Sequence, residues 1–240
     1  MLPYKVSSAG VIGRNHILSQ SNRQDSFCYR HFESGGKSYI VGVISDGCGS
    51  GESSEVGAVL TTNYILNEAQ RQLQNQSFEL DKLYVKTVIF LNKLVNAICG
   101  DASQVATDFI QNKLLATVLG FVMDEEETLI FGAGDGIIAY NNKISVRDEN
   151  NRPSYLAYHL LSARAAACSY SQLQFEKIAA IPTAEIEQMA IFSDGFELEL
   201  LPYVWGATRH PRALQRQFNV WSRQKHFSDD ASCILVEKER

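Results

Sequence analysis

Positive charge is in short supply in this chain: 22 Lys and Arg face 27 Asp and Glu, for a net charge of −5. That balance argues against a nucleic-acid or anionic-membrane partner, because holding a phosphate backbone takes a concentrated positive face. No window approaches the roughly 18 to 20 apolar residues of a spanning helix, and the opening "MLPYKVSSAG" lacks the charged and apolar regions of a secretory signal. A cytoplasmic location is the expectation. Cysteines are few and scattered: Cys28, Cys48, Cys99, Cys168 and Cys233 are odd in number and form no CxxC pair. Neither a disulfide framework nor a thiolate zinc site is suggested, and the thiols are expected to be reduced and mostly buried. The 5 histidines form no ligand-spaced cluster, which argues against a histidine-rich zinc hydrolase. "GCGSGE" lacks the Gly-Lys-Ser/Thr end of a phosphate loop and reads as a helix-entry turn. Repeats, low-complexity segments and Pro/Gly/Ser linkers are missing too, so one domain over residues 1–240 is expected.

What the chain does have is an ordinary globular composition, 45% hydrophobic and 20% charged, with length enough for a real core. The first 46 residues read as strands in "KVSSAGVIG", "DSFCYRHF" and "KSYIVGVISD". Two helices follow, from about Glu52 to Gln74 and from Leu80 to Ile98; Tyr84, Val88, Leu91, Val95 and Ile98 form a buried stripe on the second. From Lys113 the pattern returns to strands in "LLATVLGFVM", "TLIFGAGD" and "GIIAYNNKISV", a β-meander whose Asn141-Asn142 is a tight hairpin turn. Leu173 to Ala180 and "EQMAIFSDG" are further strands, Pro211 to Lys225 a helix, and "ASCILVEK" a closing strand. The order implies an α+β fold, two antiparallel sheets with helices outside, not a doubly wound one.

Three apolar runs end in Asp-Gly: "VGVISDG" at Asp46, "LIFGAGDG" at Asp135 and "MAIFSDG" at Asp194. "FSDDAS", with Asp229 and Asp230, precedes the last strand, and "NRQDSF", with Asp25, precedes an early one. Singly, each Asp-Gly reads as a hairpin turn. Collectively, strand ends at one edge of a sandwich converge, and converging carboxylates repel unless a cation neutralises them or some are protonated. Hard oxygen donors favour Mg²⁺ or Mn²⁺ over zinc.

"NRQDSF", "SDGCGSGESSEVGA", "LATVLGF", "GAGDGIIAY", "IFSDG" and "SDDAS" occur in the order and approximate spacing of the motifs of the metal-dependent 2C-type (PPM) serine/threonine protein phosphatases. "GRNHILSQSNRQDSF" resembles the bacterial branch. The resemblance spans Gly10 to Val236. It implies a four-layer α-β-β-α sandwich around a centre of two Mn²⁺ or Mg²⁺ ions, with a third ion also in play. By that resemblance Asp46 bridges both metals and the Gly47 carbonyl is a further ligand. Asp194 and Asp229 are implied as ligands too, Asp25 as the acid that holds metal-bound water, and Asp135 as the ligand of the third ion. Phosphate-monoester hydrolysis is slow enough that enzymes accelerate it by up to about 10²¹. The implied route is attack by a metal-activated water, and the chain has no Cys-x₅-Arg motif for a phosphoenzyme. The implied substrate is a phosphoserine or phosphothreonine protein made by a Ser/Thr kinase, with the enzyme monomeric.

The sequence departs from the pattern at Gln20, where the family often carries a phosphate-gripping Arg. Arg14, His16 and Arg23 are the substitutes at hand. Cys48 stands where some relatives have a proton-donating His, which makes His16 a catalytic candidate alongside water. A short flap, about residues 141–187, is expected to select substrates or to pack. Two alternatives stay open: a pseudophosphatase that binds a phosphorylated partner, and a phosphatase of small phosphorylated metabolites.

Overall fold

The computed structural model describes residues 2–149, 153–165, 174–207, 210 and 212–239. Among the described residues, ten strands form two five-stranded antiparallel sheets. The first holds β1 (Tyr4–Val11), β10 (Ala231–Lys238), β9 (Gln188–Phe192), β6 (Gly136–Tyr140) and β7 (Lys143–Arg147), in that spatial order. The second runs β2 (Ser26–Ser34), β3 (Lys37–Ser45), β4 (Val118–Met123), β5 (Glu127–Ala133) and β8 (Glu176–Pro182).

Burial on both faces explains why the central strands read as nearly unbroken apolar runs. In β3, Tyr39, Val41 and Val43 pack outward against helices, while Ile40 and Ile44 point to the other sheet. In β10, Cys233 and Leu235 point out, and Ile234 and Val236 point in. Three cores result. One joins the two sheets, with Phe121, Ile130, Met189 and Ile191 at its middle. A second lies between the β3 sheet and helices α2 (Glu55–Gln74), α3 (Leu80–Cys99) and α4 (Ser103–Lys113), together with α5 (Tyr158–Ala165). The third lies under α6 (Ala213–Arg223), which buries Leu214, Phe218 and Trp221, an i, i+4, i+7 stripe. The expected α-β-β-α layering is therefore present, and no helix of the described residues is long and apolar enough to cross a membrane.

Several expectations need correction. The stretch from β4 to β7 is not a single meander: β4 and β5 pair in one sheet, β6 and β7 in the other. The chain crosses at Gly134-Asp135-Gly136, where Gly134 has φ +90, a conformation closed to most side chains. The helices α1 (Arg14–Ser19), α4 and α5 were not expected; α1 buries no residue and α4 only Ala106 and Ile110, too little for a periodic signal. On α3 the stripe ends at buried Cys99, with Ile98 57% exposed, since 3.6 residues per turn carries the face from Val95 to 99. The last helix starts at Ala213; Pro211, like Leu173 at the start of the expected β8 and like Cys168, lies outside the described residues. The other four cysteines are free, two buried and two half-buried. Tyr140 pairs with Lys143 across Asn141-Asn142, so that hairpin stands as read.

Candidate metal centre

None of the three Asp-Gly pairs is a hairpin turn. Asp46 follows β3 and leads toward α2, Asp135 sits at the sheet-to-sheet crossing, and Asp194 follows β9 and leads toward a 3₁₀ turn at Leu198–Tyr203. All three, with Asp229, open onto one cleft of about 300 Å³ at the end of the sandwich. Gln24, Gly47, Thr117, Pro153 and Tyr155 also line it.

The backbone around Asp46 is held from both sides. Its N–H donates to Thr117 Oγ1 at 3.1 Å, and Thr117 N–H donates back to the Asp46 carbonyl at 2.8 Å. Ser45 Oγ adds a bond to the Thr117 carbonyl at 2.5 Å. Gly47 bridges to Ala116, a geometry that uses the carbonyls of Asp46 and Leu115 and leaves that of Gly47 without a hydrogen bond among the described residues.

Asp25 lies behind Asp46 and is 3% exposed. Its Oδ2 accepts the Ser193 hydroxyl at 2.7 Å, while its Oδ1 is buried with no partner, as is Gln24 Oε1. Burial raises the Asp25 pKa to about 6, opposed by its contacts with Asp46 and Ser193. Burial, then the charges of Asp25 and Asp194, lift Asp46 well above the carboxylate range. Asp194 faces the open cleft, yet it too is raised, by loss of water and then by Asp229. Asp135 is raised mainly by burial, although its Oδ1 accepts the Glu149 N–H at 2.6 Å. These are acids held together at a cost to their charged forms.

Asp229 and Asp230 go separate ways. The Asp229 side chain is 61% exposed toward the cleft, whereas Asp230 is 2% exposed and accepts the N–H groups of Gly13 and Gln24. His16 Nδ1 stands 3.0 Å from Asp230 and 3.7 Å from Asp229, so it sits behind Asp229 and not on the cleft wall. His16, Asp229 and Asp230 offer ligand atoms within 4.8 Å of one another, and each Asp230 oxygen also accepts one backbone N–H.

The phosphate-binding substitutes fare differently from expectation. Arg14 is exposed on α1, and the Arg23 guanidinium lies over the Phe27 ring at 5.2 Å and against Gly10. Gln20, left-handed at φ +58, closes α1 in the open. Among the described residues that line the cleft there is no Arg or Lys. Cys48 is half-buried; burial acts against its ionisation, but hydrogen bonds with Ser50 and Tyr155 outweigh that and lower its pKa.

A buried carboxylate oxygen without a partner, an unpaired glycine carbonyl and a ring of oxygen donors are what a hard divalent cation takes. This donor set fits Mg²⁺ or Mn²⁺. A family model described as protein phosphatase 2C matches residues 12–235.

The chain belongs to the protein phosphatase 2C family.

Solved structures agree on the fold. This 2C-family chain is similar to a single-residue variant of a bacterial serine phosphatase, at TM-score 0.61 and 15% identity over 98% of each chain. It is similar to PppA, a key regulatory component of the type VI secretion system in Pseudomonas aeruginosa, at 0.57 and 17% over 98% of this chain and 97% of that one. RsbX in complex with magnesium matches at 0.53 and 12%, over 97% and 94%. Comparison with curated proteins by sequence finds no match.

Sequence reasoning gave no role to Ser193, Thr117 or Asp230, although it counted Asp230 among the converging acids. Ser193 and Thr117 lay inside the quoted "IFSDG" and "LATVLGF", so the motifs themselves carried the signal. Asp230 was indistinguishable from its neighbour before the fold buried one of the two.

Proposed function

We propose that this phosphatase-family chain hydrolyses phosphoserine and phosphothreonine in proteins, the products of a Ser/Thr kinase, with bound Mn²⁺ or Mg²⁺. The observation that carries the reading is the cleft itself: Asp46, Asp135, Asp194 and Asp229 converge on it, and no described Arg or Lys lines it. An anionic phosphoester is repelled by such a surface unless cations intervene. Asp46, Asp194, Asp229 and the Gly47 carbonyl would hold the principal ions, Asp25 would hold water bound to them, and Asp135 would serve a weaker ion. Bound there, divalent cations supply Lewis-acid stabilisation of phosphoryl charge and lower the pKa of a water nucleophile. The chain's own residues do the rest. Thr117 and Ser45 fix the backbone that carries Asp46, Ser193 fixes Asp25, and Pro153 and Tyr155 form part of the cleft wall. The magnesium bound by RsbX supports the choice of a hard ion.

A panel of phosphothreonine and phosphoserine peptides and small phosphorylated metabolites, offered to metal-stripped protein with and without Mn²⁺, tests the reading. Metal-dependent phosphate release from peptides is expected. Release from metabolites alone, or peptide binding in chelator without release, would replace it with one of the alternatives.

A further inference from the structure

Asp230 accepts the Gly13 N–H on Oδ1 at 2.6 Å and the Gln24 N–H on Oδ2 at 2.5 Å. His16 Nδ1 is 3.0 Å from the same Oδ2 but is not aligned as a hydrogen bond, so the two amides carry the clamp. Each attachment adjoins an acid of the site. Gln24 precedes Asp25, and its carbonyl accepts the Gly47 N–H at 3.3 Å, next to Asp46. Gly13 packs so closely on the Asp229 backbone that a Cβ there would overlap it, and Gly195, beside Asp194, packs in the same way on the Asp230 carbonyl. Asp230 itself follows Asp229 and immediately precedes β10.

We propose that Asp230 is a positioning residue for the metal centre: it ties the segments that carry Asp25 and Asp229 into one rigid frame before any ion arrives. This inference rests on the metal-centre reading given above. The acids of the cleft repel one another, which favours an outward swing of Asp229, whose side chain is 61% exposed. A buried carboxylate with two charge-assisted amide bonds opposes that swing. Its removal leaves two buried N–H groups unsatisfied at the point where the segments meet.

The test is titration calorimetry of Mn²⁺ into metal-stripped wild type, Asp230→Ala and Asp230→Asn, with urea unfolding in chelator run alongside and kcat and KM taken on a phosphothreonine peptide. Under conditions where the variants are folded, Mn²⁺ affinity is expected to fall about 10- to 100-fold in Asp230→Ala, the usual loss on removing a partner that orients a ligand. Asp230→Asn, which keeps one acceptor, falls between the two, and raising Mn²⁺ restores activity with peptide KM little changed. A folded variant with wild-type Mn²⁺ affinity overturns the proposal; should Asp230→Ala not fold, Asp230→Asn decides in the same way. A wild type that binds Mn²⁺ yet releases no phosphate overturns the phosphatase reading and leaves this one standing, because its readout is affinity.

Discussion

The Ser193 hydroxyl donates to Asp25 Oδ2 at 2.7 Å, joining the residue just after β9 in one sheet to the acid just before β2 in the other. Ser193 Oγ in turn accepts the Ser232 N–H at 2.9 Å. Ser193→Ala therefore leaves a buried carboxylate oxygen and a buried amide without partners. A loss of about 1 to 3 kcal/mol is expected from urea unfolding at neutral pH; an unchanged midpoint would show that water replaces the hydroxyl.

The crowding of carboxylates sets a pH dependence opposite to that of a salt-bridged acid. Asp25, raised to about 6 from an ordinary 3.8, binds its proton more tightly folded than unfolded. Its stabilising contribution is whole below the unfolded value and is lost as pH rises through about 6. In chelator, Asp25→Asn is expected to be more stable than wild type at pH near 7.5, by an amount on the order of 3 kcal/mol, with the gap closing toward pH near 4. Chemical denaturation at a series of pH values, metal-free, reads this directly. A gap that does not depend on pH would mean Asp25 is not the protonated partner.

Gly195 leaves no room for a side chain, because a Cβ would overlap the Asp230 carbonyl. Gly195→Ala should cost about 1 to 3 kcal/mol through overpacking and shift the Asp229–Asp230 backbone. Thermal unfolding with and without Mn²⁺ checks it: the variant should lose both baseline stability and part of the gain on adding metal.

Arg23 was a candidate phosphate ligand from sequence, but its guanidinium is engaged with Phe27. Arg23→Ala is expected to cost about 0.5 to 1 kcal/mol of stability and no more. KM for a phosphopeptide should stay within about threefold, whereas losing a direct phosphate contact costs about tenfold or more. A KM increase of that larger size would return Arg23 to the site.

The strands were legible because burial on both faces writes them as apolar runs; "ASCILVEK" is β10 residue for residue. The convergence of acids was legible from their repeated place at strand ends. The sheet change at Asp135 was not, since the turn before β6 has the same local pattern whether the next strand pairs beside β5 or joins the other sheet. Short helices such as α1, which bury nothing, leave no periodicity to read. Nor does the string "SDD" tell Asp229 from Asp230, because their difference lies only in which side chain the loop turns inward. The placement of Arg23 over Phe27 likewise depends on how the loop before β2 turns, which spacing does not encode.

The most direct measurement of the central claim is phosphate release from a phosphothreonine peptide by metal-stripped protein as Mn²⁺ is added back, for wild type, Asp46→Asn and Asp194→Asn. Turnover that is absent in chelator, returns with Mn²⁺ in wild type and is lost from both folded variants is the predicted result. Turnover that persists in chelator, or that both variants retain at wild-type level, would contradict the assignment of this cleft as the metal centre of a phosphatase.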